Sequence, residues 1–315
     1  MISNPKKYKL YFSNELCASI GYSPQTRSQA PAASLARERC TNYEPLLYLA
    51  GMDINEKYER LKEIIQPLKK VVVAFSGGVD STLLLKACLD ALGHSNVLAF
   101  IGTSPVHPEK ETGEAINIAQ HLGADYVTVK TGEMENRVFT SNPAERCYHC
   151  KSGLLDQIWH VARERGLIHI VEGSNVDDEG DFRPGSRANA EKGAASPLKA
   201  AGLTKYDIRE LSRALALPTH NKPSFACLAS RVPYGTKITA EVLKQIELSE
   251  EFLKSIGARQ VRVRYHGRVA RIEVEDRDFS KIIKNRGLIQ TRLKSLGFTY
   301  VTLDLKGYRT GSLNE

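Results

Sequence analysis

Residues 71–92 read VVVAFSGGVDSTLLLKACLDAL, and this stretch decides the fold. Val71, Val72, Val73, Ala74 and Phe75 make a short, almost wholly apolar run, the pattern of a strand covered on both faces in a parallel sheet. Ser76, Gly77 and Gly78 interrupt it, and glycine lets a backbone turn tightly and approach a ligand with no Cβ in the way. Thr82, Leu83, Leu84, Leu85, Lys86, Ala87 and Cys88 then read as helix. Strand, glycine turn and helix start gather free backbone N–H groups and the positive end of a helix dipole at one point, an arrangement that binds phosphate. Two glycines alone fit a ligand-free turn equally well. The full string SGGVDS is more specific: Ser76 and Ser81 add hydroxyl donors, and Asp80 is a carboxylate placed to hold Mg²⁺ beside a polyphosphate.

No lysine follows at the Walker position, so the GxxxxGK[ST] loop is excluded. The string resembles the PP-loop of the N-type ATP pyrophosphatases, which include NAD, GMP and argininosuccinate synthetases and tRNA thiolation enzymes. That resemblance implies cleavage of ATP between its α and β phosphates and adenylation of an acceptor. It also implies that Ser76, Gly77, Gly78, Asp80 and Ser81 hold ATP and Mg²⁺.

Downstream, Asn96–Ile101 is a second strand, and the loop Gly102-Thr103-Ser104-Pro105 follows it. At the carboxyl edge of a doubly wound sheet that loop lies beside the first, which adds Thr103 to the nucleotide-binding candidates. Glu109–Leu122 reads as helix and Tyr126–Val129 as a third strand. This βαβαβ order predicts an α/β fold, a doubly wound parallel sheet with right-handed crossovers. Upstream, Asp53–Lys70 carries Tyr58, Leu61, Ile64, Ile65 and Leu68 at helical spacing. Residues 1–51 differ: rich in Ser, Pro, Ala and Arg, they have no sustained period and no long apolar segment of secretory type. They are expected to be a disordered or spurious extension, and Cys17 and Cys40 are discounted with them.

The 315 residues suffice for one large or two ordinary domains. No apolar run approaches the roughly 20 residues of a membrane span, and a cytoplasmic enzyme with no membrane partner is expected. The formal charge of +8 permits RNA binding but equally fits a pocket for anionic substrates. Six cysteines in a chain this long point to reactive or metal-binding thiols more than to a disulfide scaffold.

Glu145-Arg146-Cys147-Tyr148-His149-Cys150-Lys151 enters a helix running to about Arg165. A lone CxxC is ambiguous: two structural cysteines, a redox dithiol with thiol pKa lowered by the helix N-terminus, or part of a metal or Fe–S site that needs thiolates from elsewhere. Cys88 reads as core, which leaves Cys227. Ile168–Val171 is a fourth strand, and the acidic strings Glu172–Asp178 and Gly180–Gly185 after it are candidates to bind Mg²⁺ or orient a nucleotide. Thr204 or a neighbour caps a helix carrying Asp207, Leu211 and Leu215. In the last part, Glu241–Ile256 and Asp278–Leu296 read as helices, Gln260–Tyr265 and Val269–Val274 as a hairpin about His266-Gly267-Arg268, and Thr299–Leu303 as a final strand.

A turn-rich stretch, KPSFACLASRVPYG over residues 222–235, carries Cys227. Together with SGGVDS, ERCYHCK, DFRPG and the late strings VRVRYH and YVTLDL, it makes the chain from about Met52 onward similar to the LarE family. Members are ATP-dependent sulfur transferases that build the nickel-pincer nucleotide cofactor of lactate racemase. The resemblance implies a PP-loop domain over 52–222, a linker over 223–235 and a smaller α+β substrate domain over 236–315, in a chain expected to form a homo-oligomer. It implies that each carboxylate of a pyridinium dicarboxylate mononucleotide is adenylated and then converted to a thiocarboxylate with sulfide or another sulfur donor. Ser230, Arg231, Arg262 and Arg264 are the implied contacts to the substrate phosphate. By local pattern alone, Arg262 and Arg264 share one face of a strand, ordinarily a solvated one. Members with one cysteine near Cys227 sacrifice its sulfur; those with an added CxxC are associated with a [4Fe–4S] cluster on three cysteines, here Cys147, Cys150 and Cys227. Two other classes compete: a tRNA-thiolating PP-loop enzyme, for which no appended RNA-binding motif is visible, and an ammonia-using amidotransferase-type synthetase, in which these cysteines would have no role.

Overall fold

The computed structural model describes residues 53–180, 184–223 and 226–309. The proposed extension 1–51, Met52, Asp181–Arg183, and Ser224 and Phe225 of the linker lie outside the described residues. Helices α1 (Ile54–Ile65), α2 (Val79–Leu92), α3 (Glu109–His121), α4 (Arg137–Thr140), α5 (Arg146–Glu164), α6 (Pro184–Glu191), α7 (Pro197–Ala200) and α8 (Lys205–Ala214) surround a first sheet. Its strands are β1 (Val71–Ala74), β2 (Val97–Thr103), β3 (Asp125–Lys130), β4 (His169–Val171) and β5 (Ala194–Ala195). All pairings are parallel, in the order β3-β2-β1-β4-β5. The smaller part has α9 (Ala240–Ser255), β6 (Val261–His266), β7 (Val269–Val274), α10 (Phe279–Lys284), α11 (Arg286–Ser295) and β8 (Tyr300–Leu303). There β7 pairs antiparallel with β6 and parallel with β8. Among the described residues no helix is long and apolar enough to cross a membrane.

The apolar run of β1 behaves as its composition requires. Val71 and Val73 join the core beneath α1, α2 and α8, with Leu61, Leu84 and Ile208. Val72, pointing the other way, packs with Leu155 and Ile158 of α5 and with Phe100. A third cluster of Val106, Phe139, Leu228, Val232 and Ile246 underlies the linker, and Cys150 and Cys227 pack against it.

Several boundaries differ from the sequence reading. The first helix stops at Ile65 and turns into a 3-10 segment, Gln66–Leu68, because Pro67 has no N–H to continue the ladder. Helix α2 begins at Val79, not Thr82, with Gly78 as its N-cap. The expected single helix Asp278–Leu296 is two, α10 and α11, meeting at Asn285. There the Asn285 amide donates to the Lys281 carbonyl at 2.9 Å, and Gly287 follows in the weakened turn. The two-residue β5 has no periodicity to detect and was not foreseen.

Candidate active site

The carboxyl ends of β1, β2 and β4 open into a cleft of about 480 Å³. Its floor is the SGGVDS turn. Gly77 has φ +68°, and a Cβ there would stand 2.8 Å from the Cβ of Ala115 on α3, so both backbone angle and close approach require glycine. The N-terminus of α2 lacks a side-chain cap, leaving its N–H groups for a ligand. Inside the turn the Ser76 and Ser81 hydroxyls lie 3.2 Å apart, and the Ser76 N–H donates to Ser81 Oγ at 3.3 Å.

Asp80 is not left to solvent. Lys205 Nζ donates to its Oδ1 at 2.6 Å and also to Oδ2, and the Asn175 amide donates to Oδ1 at 3.2 Å. Lys205 opens α8, where a reciprocal capping box between Thr204 and Asp207 fixes the helix start. The Lys205 N–H itself donates to Asp177 at 2.7 Å. A second lysine, Lys222, donates to the Gly77 carbonyl at 3.2 Å and pairs with Glu111 at 2.7 Å and Glu114 at 2.9 Å. Burial works against its charge, but the two carboxylates outweigh burial and raise its pKa. A third, Lys151, lies 3.5 Å from Glu172. Glu172 also accepts from the hydroxyls of Ser174 at 2.9 Å and Ser196 at 2.5 Å. Burial opposes its ionisation, yet the Lys151 ammonium and these donors together hold the carboxyl below its usual value.

The cleft lining thus unites Ser76, Gly78, Asp80, Ser81 and Cys227 of the predicted site. Thr103 is not among the lining residues; its hydroxyl donates to the Val129 carbonyl at 3.4 Å, while Gly102, His107 and Thr131 line that edge. Of the acidic strings, Glu172, Asn175 and Asp178 take part. Lys151, Lys205 and Lys222 were not singled out from sequence. Lys205 had only an LTK helix start to mark it, and Lys222 lies in a linker.

Of the three thiols, Cys227 lines the cleft, whereas Cys147 and Cys150 are not among its lining residues. Cys147 and Cys150 stand on the first turn of α5, and Cys227 precedes a 3-10 turn, Leu228–Arg231. Burial raises the pKa of Cys147, the Cys227 sulfur raises it further, and the Arg146 guanidinium acts against both. Cys150 is raised by burial, then by Glu133, Cys227 and Cys147; its Sγ lies 3.8 Å from Glu133 Oε1. The helix N-terminus therefore does not make these thiols acidic, because burial dominates. Among the described residues no group of three or more His, Cys, Asp or Glu side chains is drawn together tightly enough to share a metal ion. Cys88 is a core residue, 0% exposed.

The candidate arginines of the linker and of the smaller part lie inward. Arg231, 0% exposed, forms a two-pronged pair with Glu250 at 2.8 and 2.9 Å, and its Nη1 donates to the carbonyls of Ala226 and Cys227 and to Ser230 Oγ. Arg264 donates to Glu273 at 3.0 and 2.9 Å and to the Ser230 carbonyl at 2.9 Å. Arg262 donates to the Val261 carbonyl and faces the Tyr308 ring at 5.3 Å. Arg262 and Arg264 are each 5% exposed, so the strand face that carries them is covered, not solvated.

Comparison with known proteins agrees with this layout. A family model described as NAD synthase matches residues 54–171. An uncharacterised protein of Synechocystis is 40% identical over 83% of this chain and 98% of its own length. The pyridinium-3,5-bisthiocarboxylic acid mononucleotide synthase of Lactiplantibacillus plantarum is 36% identical over 82% of this chain and 94% of its own length. An ammonia-dependent NAD synthetase of Archaeoglobus fulgidus is 28% identical over 49% of this chain and 64% of its own.

Proposed function

Since this chain belongs to the LarE family of PP-loop proteins, we propose that it thiolates both carboxylates of a pyridinium dicarboxylate mononucleotide at the expense of ATP, in nickel-pincer cofactor synthesis. The observation that carries this reading is the single cleft in which the SGGVDS turn and Cys227 share one lining. Adenylation and sulfur delivery must act on the same carbon, so their machinery must face one space.

ATP binds with its phosphates on the uncapped N-terminus of α2 and the hydroxyls of Ser76 and Ser81. Asp80 would hold Mg²⁺, which would supply charge neutralisation on the polyphosphate, and the Lys205 ammonium beside it neutralises that charge too. A substrate carboxylate oxygen attacks the α-phosphorus, the bond to the β-phosphate oxygen breaks, and pyrophosphate departs. The acyl-adenylate carbon is then open to a sulfur nucleophile, because AMP leaves where oxide could not. The protein contributes alignment and charge neutralisation. Ser230, Arg262 and Arg264 serve the substrate phosphate, while Arg231, through its bonds to the Ala226 and Cys227 carbonyls, also sets the position of the Cys227 segment.

Cys147, Cys150 and Cys227 suit a [4Fe–4S] cluster in donor chemistry: three free thiols from two segments, Cys147 exposed and the other two half-buried. When bound, such a cluster would supply one iron without a protein ligand, a place to hold inorganic sulfide. The sacrificial alternative leaves Cys147 and Cys150 without a task.

Protein purified without oxygen is expected to contain about four irons per chain and to release pyrophosphate only with the dicarboxylate mononucleotide present. It should form thiocarboxylate repeatedly when sulfide is added. Iron-free protein that acts once and loses the mass of one sulfur at Cys227 would show the sacrificial route instead. Pyrophosphate release driven by tRNA would overturn the substrate assignment.

A further inference from the structure

Asn142 bonds to both of the segments that carry the thiols. It is 0% exposed and holds a left-handed backbone, φ +60°, which few residues other than glycine and asparagine adopt readily. Its amide Nδ2, with two N–H donors, lies within hydrogen-bond distance of three carbonyls of the stretch after Cys227: Val232 at 3.2 Å, Pro233 at 2.7 Å and Thr236 at 3.0 Å, so one proton is shared. Its Oδ1 accepts from Arg146 Nη1 at 2.5 Å, and Arg146 is the residue just before Cys147. The same guanidinium donates to the Val232 carbonyl at 3.4 Å and stacks on Tyr234, 4.7 Å from the ring centre. Backbone bonds run alongside, from the Gly235 N–H to the Asn142 carbonyl at 2.9 Å and from the Ile238 N–H to the Thr140 carbonyl at 2.8 Å. No other side-chain type supplies this set. The amide must donate on one side and accept on the other, on a stem short enough for a left-handed residue.

We infer that Asn142 is a positioning residue that sets the placement of the Cys227 thiol relative to Cys147 and Cys150. The inference rests on the three-thiol reading above and deepens it. A buried amide that bridges two chain segments fixes their spacing because any slip leaves its donors unpaired in a dry interior. The PP-loop lies on other elements, so nucleotide binding does not depend on this bridge.

The test uses the full chain, freed of iron and reduced, with dibromobimane, a reagent that bridges two thiols only when they are close together, as probe. In the parent it should link Cys147 to Cys150 and Cys227 to either of them, read by peptide mass spectrometry, and Cys227→Ser should keep the first link alone. Asn142→Gly, which keeps the left-handed backbone but removes the bridge, should lose the Cys227 link, keep the Cys147–Cys150 link and bind ATP like the parent. Should Asn142→Gly fail to fold, Asn142→Asp replaces it: it keeps the acceptor for Arg146 and tolerates the backbone, but loses the N–H donors. A Cys227 link at parental yield in the folded Asn142 variant overturns the inference and leaves the three-thiol reading standing. Absence of the Cys227 link in the parent overturns both. Loss of ATP binding together with both links shows a general structural role and also overturns the inference.

Discussion

Asp80 carries two charge relationships, one to Lys205 in the structure and one to Mg²⁺ in the proposed reaction. The carboxylate is partly buried and bonded to an ammonium and an amide, so its position is set before nucleotide arrives. Asp80→Ala and Ser81→Ala are each expected to abolish pyrophosphate release while the far-UV spectrum is unchanged. Near-parental turnover in either folded variant would remove that residue from the ATP site. Glu172 supports a pH prediction. Its folded carboxyl lies below the usual glutamate value of 4.5, so the unfolded chain takes up the proton at a higher pH than the folded one. The stability from its bonds to Lys151, Ser174 and Ser196 is therefore complete above that value and lost as pH falls through the folded one. Melting temperatures from about pH 7 to about pH 3 should fall less steeply in Glu172→Gln than in the parent. Equal slopes would mean that other carboxylates carry the acid sensitivity.

At the level of elements, the junction between β1 and α2 has the least freedom. Gly77 faces the backbone and Cβ of Ala115, and Gly173 at the end of β4 comes within 3.2 Å of Asp80 Cβ, measured from an added Cβ. Two glycines from different strands thus let the nucleotide turn nest between α3 and β4. Gly77→Ala combines a forbidden contact with an unfavourable φ, and should cost more than about 1 kcal/mol of stability and raise the KM for ATP. Chemical denaturation and steady-state kinetics check both, and a neutral result would mean that α3 shifts freely. Neither glycine's neighbour is visible in a linear reading; SGG announces a tight turn but not what presses on it. The split at Asn285 has the same character. Apolar spacing continues through it, and the side chain's bond to Lys281 decides that the helix breaks.

For the molecule as a whole, Asp53 caps α1 through a reciprocal bond with Glu56. The two long relatives match 83% and 82% of this chain. A protein beginning at Met52 is therefore expected to be soluble and to release pyrophosphate at the parental rate. Aggregation or inactivity would show that residues 1–51 belong to the working fold.

The nucleotide half was legible because phosphate binding is local. Its donors are backbone N–H groups and side chains within one turn, so the glycines, Asp80 and Ser81 announce themselves in six consecutive letters. The parallel sheet follows from the spacing of apolar runs, and the identity of the three candidate thiols from which cysteines had no core role. Tertiary structure decided the rest. Lys205 and Lys222 reach the turn from 125 and 145 residues away, and no periodicity marks a lysine that will meet Asp80 or Gly77. The strand pattern placed Arg262 and Arg264 on one face, but whether that face meets water or protein depends on what covers it. Glu273 accompanies Arg264 into the interior, as Glu250 does Arg231, and burying a guanidinium is tolerable only where a carboxylate goes with it. Asn142, likewise, is an ordinary turn residue until the stretch 232–236 folds over it and three of that stretch's carbonyls meet its amide nitrogen.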